Sequence, residues 1–128
     1  MKIEYLAAGS SDCPLIRLYD FDAVQVRLLH DVVDQLSHGE VGTVAIHSFV
    51  GAEAIDNCEL TFVVQKRDRG VVSSDSRLFT CTLSAESWNQ VAGLIEPFCT
   101  DARTERYQWL TTEGRVKLLL SDSRDGAW

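Results

Sequence analysis

Two aspartates, Asp20 and Asp22, follow an apolar run and have the spacing of a nucleophile and its acid–base partner. A carboxylate at a strand end can face an open crevice and attack a phosphoryl group, while a second carboxylate handles a proton. Arg17 and His47 are other side chains that a fold could bring into such a cleft. These residue types therefore define one candidate chemistry, phosphoryl transfer, and one broader class, a small enzyme or ligand-binding protein.

The stretch LYDFDAV (18–24) resembles the first motif of the haloacid dehalogenase phosphatases. The resemblance implies Asp20 as nucleophile, Asp22 as proton carrier and a magnesium ion between them. Alanine and valine follow Asp22 where that family usually has Gly-Thr, and Arg17 interrupts the strand. We interpret Asp22 instead as the N-cap of a helix and Asp20 as an exposed carboxylate at the end of a strand.

Histidine and cysteine spacings predict no metal centre, no disulfide and no cofactor. The histidines form no HxH, HxxxH or HExxH pattern, and the cysteines form no CxxC pair. Such thiols usually pack as small apolar groups in a reducing compartment. The residues concerned are His30, His38, His47, Cys13, Cys58, Cys81 and Cys99.

Composition limits the class of protein. The 128 residues are typical of one domain (1–128), and the formal charge of −7 argues against nonspecific binding to nucleic acid or to anionic membranes. No apolar run is long enough to span a membrane, and Glu4 and Tyr5 interrupt any signal-like stretch at the beginning. These features predict a cytoplasmic location, no membrane and no nucleic-acid partner.

Two segments have the period of an amphipathic helix. The first begins at Asp22 and ends near Gly39, a left-handed cap. The second begins after Ser84 and should end near Glu96, because Pro97 disfavours helical geometry at the residue before it. The six residues predicted to be central in the core are Trp88, Leu29, Phe62, Leu60, Val33 and Ile95.

Alternating apolar residues predict about seven strands, mostly joined as hairpins. The expected strands include 2–8, 15–21, 41–50 and 77–83, and KRDRG (66–70) is expected to be a hairpin turn. The predicted fold is α+β in two layers, with two helices on one face of a mostly antiparallel sheet. Lys66, Arg67 and Arg69 at the turn could hold a phosphate or an acidic partner, although charged tips are usually only solvated.

The two helices match when one is moved along the chain by 62 positions, which places Asp22 on Ser84 and Ala23 on Ala85. A duplicated β-β-α-β unit, with repeats at 1–55 and 56–120 and a loose tail at 121–128, would explain this match. The alternative is that any two amphipathic helices align on their apolar stripes.

Caps, turns and solvated faces account for most polar residues, so the sequence favours a non-enzymatic protein-binding or accessory module over an enzyme. Its partner would be another protein or a second copy of the chain. The alternative is a small enzyme or ligand-binding protein with a cleft between a sheet edge and the helices. If Phe49, Val50, Ile55 and Trp128 stay exposed, they are candidates for partner contact.

Overall fold

The computed structural model describes residues 1–100 and 106–128, which form nine strands and two α-helices. Their bounds are β1 Lys2–Leu6, β2 Leu15–Tyr19, α1 Ala23–Ser37, β3 Thr43–Ala45, β4 Glu53–Ala54, β5 Glu59–Val64, β6 Gly70–Ser73, β7 Leu78–Leu83, α2 Ala85–Cys99, β8 Tyr107–Thr111 and β9 Lys117–Ser121. Short 3₁₀ helices span Ile46–Ser48 and Ile55–Asn57. The α+β class is confirmed, and no helix in the described ranges is long and apolar enough to cross a membrane.

The strands form two sheets, so the prediction of one mostly antiparallel sheet of about seven strands is wrong. Sheet A has the order β4-β1-β2-β9-β8, and sheet B has the order β3-β5-β7-β6. Both sheets are mixed, because the pairs β1–β4, β2–β9 and β5–β7 run parallel. The alternation of apolar residues marks strands but does not reveal which distant strands pair.

The hairpin expected at KRDRG does not form, because β7 lies between β5 and β6 in sheet B. Strand β6 instead pairs antiparallel with β7, with Val71 opposite Cys81. The other edge of β7 then accepts β5 in parallel, with Phe62 opposite Cys81. The hairpin therefore forms between β6 and β7, which are joined by a short connection, and β5 pairs with the other edge of β7.

Both helices begin where their caps predict. Asp22 caps α1, and Gly39, just beyond the C-cap, has a φ of 70°, in the left-handed region that favours glycine. Helix α2 begins after Ser84 but continues to Cys99, so the predicted end near Glu96 is wrong. Pro97 lies in the last turn, and burial of Phe98 against the core stabilises that turn.

One continuous core lies between the two sheets and the helices. All six residues predicted to be central in it have 0% exposure, which confirms that prediction. The indole N–H of Trp88 donates to the carbonyl of Val63 at 3.0 Å, and its ring centroid lies 4.7 Å from that of Phe62. Each such large side chain stabilises the fold by roughly 1.5–3 kcal/mol through burial.

The two halves of the chain repeat one order of elements. Strands β1, β2, helix α1, β3 and β5 correspond to β6, β7, helix α2, β8 and β9, and the pairings correspond as well. Each half sends its second hairpin into the sheet of the other half, through β2–β9 and β5–β7. This correspondence divides the chain between β5 and β6, whereas the sequence predicts a division after residue 55. A duplication in evolution stays a prediction.

Candidate functional site

The two aspartates of the motif-like stretch have structural partners. The Asp22 carboxylate accepts from the Gln25 amide at 2.8 Å, and the Gln25 side chain accepts from the Asp22 amide at 3.1 Å, which forms a capping box. Asp20 has a φ of 51° and pairs with the Lys2 ammonium at 3.4 Å. The first half has one more residue here than the second half. Phe21 follows the inward-facing Leu18 by three positions, whereas the corresponding Leu83 follows Cys81 by two, and Asp20 is the additional residue.

Arg17 and His47 do not join Asp20 in a cleft. Arg17 lies on β2, where its Nε and Nη2 donate to one oxygen of Glu4 at 2.9 and 2.7 Å. His47 lies beside sheet B in a 3₁₀ helix, because β3 ends at Ala45 and the strand expected over 41–50 stops there. Its Nδ1 is 3.2 Å from the Leu60 amide nitrogen, which donates to it. The constellation considered from sequence is therefore not assembled.

The four residues proposed for partner contact lie in different settings. Val50 is 90% exposed, and Trp128 is 37% exposed. Phe49 and Ile55 are half-buried, and Phe49 packs against the core. The Trp128 indole donates to the Asp12 carboxylate at 3.0 Å, so this ring already has a partner within the chain.

Histidines and cysteines make local contacts. His30 lies 3.5 Å from Asp31, and His38 lies 3.6 Å from Asp34. The cysteines Cys13, Cys58, Cys81 and Cys99 are free thiols, and burial raises the pKa of Cys58 to about 11 and that of Cys81 to about 12. No group of three potential metal ligands occurs within 1–100 and 106–128.

The side of sheet A that points away from the core is covered by the chain itself, and we call it the covered face. Leu15 and Leu119 have 0% exposure although they lie outside the main core, and Tyr19 has 6%. Arg17, Glu4 and Tyr19 form a polar network there, with the Tyr19 hydroxyl donating to Glu4 at 2.9 Å. Burial and this hydrogen bond to Glu4 raise the pKa of Tyr19.

Residues 122–128 contribute to that cover, although the sequence predicts a loose tail over 121–128, and Ser121 lies in β9. Arg17 Nη1 donates to the carbonyl of Gly126 at 3.2 Å, and its guanidinium lies 5.9 Å from the Trp128 ring centroid. Gly126 has a φ of 77°, and a Cβ there would come within 2.8 Å of the Arg17 side chain. The Ser123 carbonyl accepts from the Asp20 amide at 3.1 Å, so the tail also touches the end of β2.

The outward side of sheet B has no such cover, and we call it the open face. Strand register places two rows of residues across it. The rows are Ala45-Thr61-Thr80-Val72 and Thr43-Val63-Thr82-Gly70. Neither of these two rows contains a charge, but the adjoining register pair Glu59–Leu78 lies on the same side and adds a carboxylate. Val72 at 51% exposure and Leu78 at 40% are large apolar side chains in contact with solvent. The open face is therefore rich in threonine and valine, with Thr43 and Val72 exposed, Thr61 and Thr80 half-buried, and Thr82 and Gly70 buried.

Two concave regions adjoin the sheets. A groove of about 790 Å³ follows the outer edge of β6, and we call it the edge groove. Its lining residues include Tyr5, Arg69, Val71, Val72, Arg115 and Val116. A smaller cleft of about 250 Å³ lies between α2 and β8 and has Asp68 and Glu113 in its lining. Asp68 is engaged there, because its carboxylate accepts from the Ser84 amide at 2.7 Å and the Ser87 hydroxyl at 2.6 Å.

The sequence did not indicate the open face as a site, and of the edge groove it indicated only Arg69, as one of three basic residues that could hold a phosphate or an acidic partner. The signal for the open face was present, since the outward half of the alternation in β5 and β7 consists largely of threonine and valine rather than charged residues. The sequence contains no comparable signal that Arg69 and Arg115 lie near each other. They are distant in the chain, and the packing of two turns places them in the lining of one groove.

Comparisons of this chain with protein-family models, with curated proteins and with solved structures find no match.

Proposed function

We propose that this chain is a non-enzymatic protein-binding module that docks a partner on the open face. The observation that carries the proposal is the unequal treatment of two corresponding sheet faces. The chain covers the outward side of sheet A with its own tail, whereas Val72 of sheet B is exposed and Thr61 and Thr80 are only half-buried. Exposed apolar or neutral patches on small domains often mark interaction sites.

The chemistry of the open face supports a protein partner. Threonine hydroxyls bond to water in the free protein and can bond to a partner in a complex, so such a face tolerates both states. Val72 and Leu78 add apolar area that favours association. Because neither row contains a charge, docking there requires no desolvation of an unpaired ion.

A capture experiment tests the proposal with the whole chain. We expect immobilised wild-type protein to retain a partner from source cells that Thr61→Lys loses, because the ammonium would be buried without a partner. Val24→Lys is the matched control, since Val24 is an apolar residue of α1 that is 77% exposed and away from sheet B. If Thr61→Lys fails to fold by circular dichroism, Thr43→Lys at the exposed edge of the face replaces it.

Retention by wild type and Val24→Lys together with loss in Thr61→Lys supports the proposal. Identical capture by all three proteins, or capture by none, contradicts it. Light scattering of the same proteins separates the two partner classes, because a homodimer would dissociate in Thr61→Lys without any added protein.

The second candidate function is binding of a small polar ligand in the cleft between α2 and β8, which lies between a sheet edge and a helix. The lining of this cleft is largely polar and includes Thr112 and Glu113, so it suits a small polar ligand better than the apolar parts of the surface do. A cytoplasmic location also remains part of the proposal, and four free cysteines support a reducing compartment.

A further inference from the structure

The basic side chains around the edge groove differ from those of sheet A in their ion pairs. Within 1–100 and 106–128, ion pairs engage Lys2, Arg17, Arg106 and Lys117, which all lie in or beside sheet A. The basic residues of the turns around β6 make no ion pair with any described carboxylate. They are Lys66, Arg67, Arg69, Arg77 and Arg115.

Two of these cations, Arg69 and Arg115, line the same groove. The turn between β8 and β9 packs on the turn before β6, because a Cβ at Gly70, which has a φ of 71°, would overlap the backbone of Glu113. This packing places Arg69 and Arg115, both exposed, in the lining of the same groove. In a chain with a formal charge of −7, one groove is thus lined by two exposed guanidinium groups that make no ion pair with a described carboxylate.

The remainder of the groove is apolar and follows a strand edge. Tyr5, Val71, Val72 and Val116 line it, and Val72 is 51% exposed. Strand β6 is the last strand of sheet B, and Val71 makes only a single bridge, to Val116, on the outer side. An edge strand beside an apolar groove is suited to bind an extended segment through backbone hydrogen bonds and alternate side chains.

We propose that the edge groove binds an extended, acidic segment of a partner protein, with carboxylates at Arg69 and Arg115 and an apolar side chain on Val72. This inference rests on the proposed function as a protein-binding module and adds a chemical class of partner. Guanidinium groups bind carboxylates in a bidentate geometry, which fixes the position of the segment as well as attracting it. Val72 belongs to both surfaces, so a partner on the open face can extend directly into the groove.

Fluorescence anisotropy with a labelled hexapeptide of alternating glutamate and valine tests this proposal, using the alternating lysine–valine peptide as the charge control. We expect the acidic peptide to bind the full chain with a Kd below about 1 mM and the basic peptide not to bind. The substitutions Arg69→Glu and Arg115→Glu should each weaken binding about tenfold or more, because they remove an attraction and add a repulsion.

Arg124→Glu is the matched control, because Arg124 is an exposed arginine of the tail that also makes no ion pair with a described carboxylate. An equal loss in Arg124→Glu would show that net charge, and not the groove, controls binding, and would overturn the proposal. No binding of the acidic peptide at about 1 mM would overturn it as well. If single-stranded oligothymidine competes equally well with the acidic peptide, the groove binds polyanions in general, and the proposed acidic protein segment is rejected.

The two proposals fail separately. The peptide assay reads only the edge groove, whereas capture with Thr61→Lys reads the open face. Loss of capture in Thr61→Lys with no peptide binding would leave the protein-binding function standing without an acidic partner. Peptide binding with unchanged capture would place the function in the groove and remove it from the open face.

Discussion

The outward sides of sheets A and B occupy corresponding places in the two halves, yet they differ in chemistry and in cover. The covered face carries the Arg17–Glu4–Tyr19 network beneath the tail, and Leu119 beside it has no exposure. The open face carries mainly threonine, valine and alanine, and Thr43 and Val72 on it are exposed. The position corresponding to Arg17 on β2 is Thr80 on β7, since Leu18 and Cys81 correspond in the core.

This difference shows how side-chain chemistry determines what a sheet face needs. A half-buried ion pair requires further hydrogen bonds and exclusion of water to be stable, and the tail supplies both through Gly126 and Trp128. A threonine-rich face needs no cover, because its hydroxyls are satisfied by water. The covered face therefore contributes to stability, whereas the open face is free for association.

The largest expected effect compares Arg17 with Thr80. Replacing Arg17 by Ala leaves Glu4 half-buried without its cation, and we expect a loss of about 2–3 kcal/mol in the free energy of unfolding. Thr80→Ala should cost about 0.5 kcal/mol, since its hydroxyl has water as a partner. Urea unfolding of both variants measures the difference.

A double variant separates cover from charge. Arg17→Met combined with Glu4→Gln removes both ions together, so it should lose less stability than Arg17→Met alone. Equal losses at Arg17 and Thr80 would show that the two faces do not differ in their energetic roles.

A smaller effect is expected at Trp128. Trp128→Ala removes the ring near the Arg17 guanidinium and the hydrogen bond to Asp12, which should cost about 1 kcal/mol and lower Tm by several degrees. Capture of a partner on the open face should not change, because Trp128 lies against Arg17 and Asp12 rather than on sheet B. Loss of capture without loss of Tm would instead assign Trp128 to the interface.

The last expected effect concerns the thiols beneath the open face. Burial raises the pKa of Cys81 to about 12, so the folded protein keeps this thiol protonated and inert to iodoacetamide at pH 8 while the half-exposed Cys13 is labelled. Above pH 9 the unfolded thiol ionises and the folded one does not, so stability should fall as pH rises from 9 towards 12. Mass spectrometry of native protein checks the labelling, and rapid modification of Cys81 would show that the open face admits solvent to the core.

Sequence reasoning was most accurate where the cause is local. The caps at Asp22 and Ser84 and the burial of Trp88 follow from side chains that act within a turn or a stripe. It was wrong about the end of α2, because burial of Phe98 outweighs the local effect of Pro97. Of the predicted contact residues, Val50 and Trp128 are exposed, but contact with a partner is untested at both.

The sequence by itself determined the α+β class, the two amphipathic helices and the strands of the local hairpins, because periodicity and caps depend on neighbouring residues. Only the tertiary structure decided that β2 pairs with β9 and β5 with β7, that the tail lies over Arg17, and that Arg69 and Arg115 line one groove. These contacts join segments far apart in the chain, and their free energy depends on how the whole core closes, which no local pattern encodes.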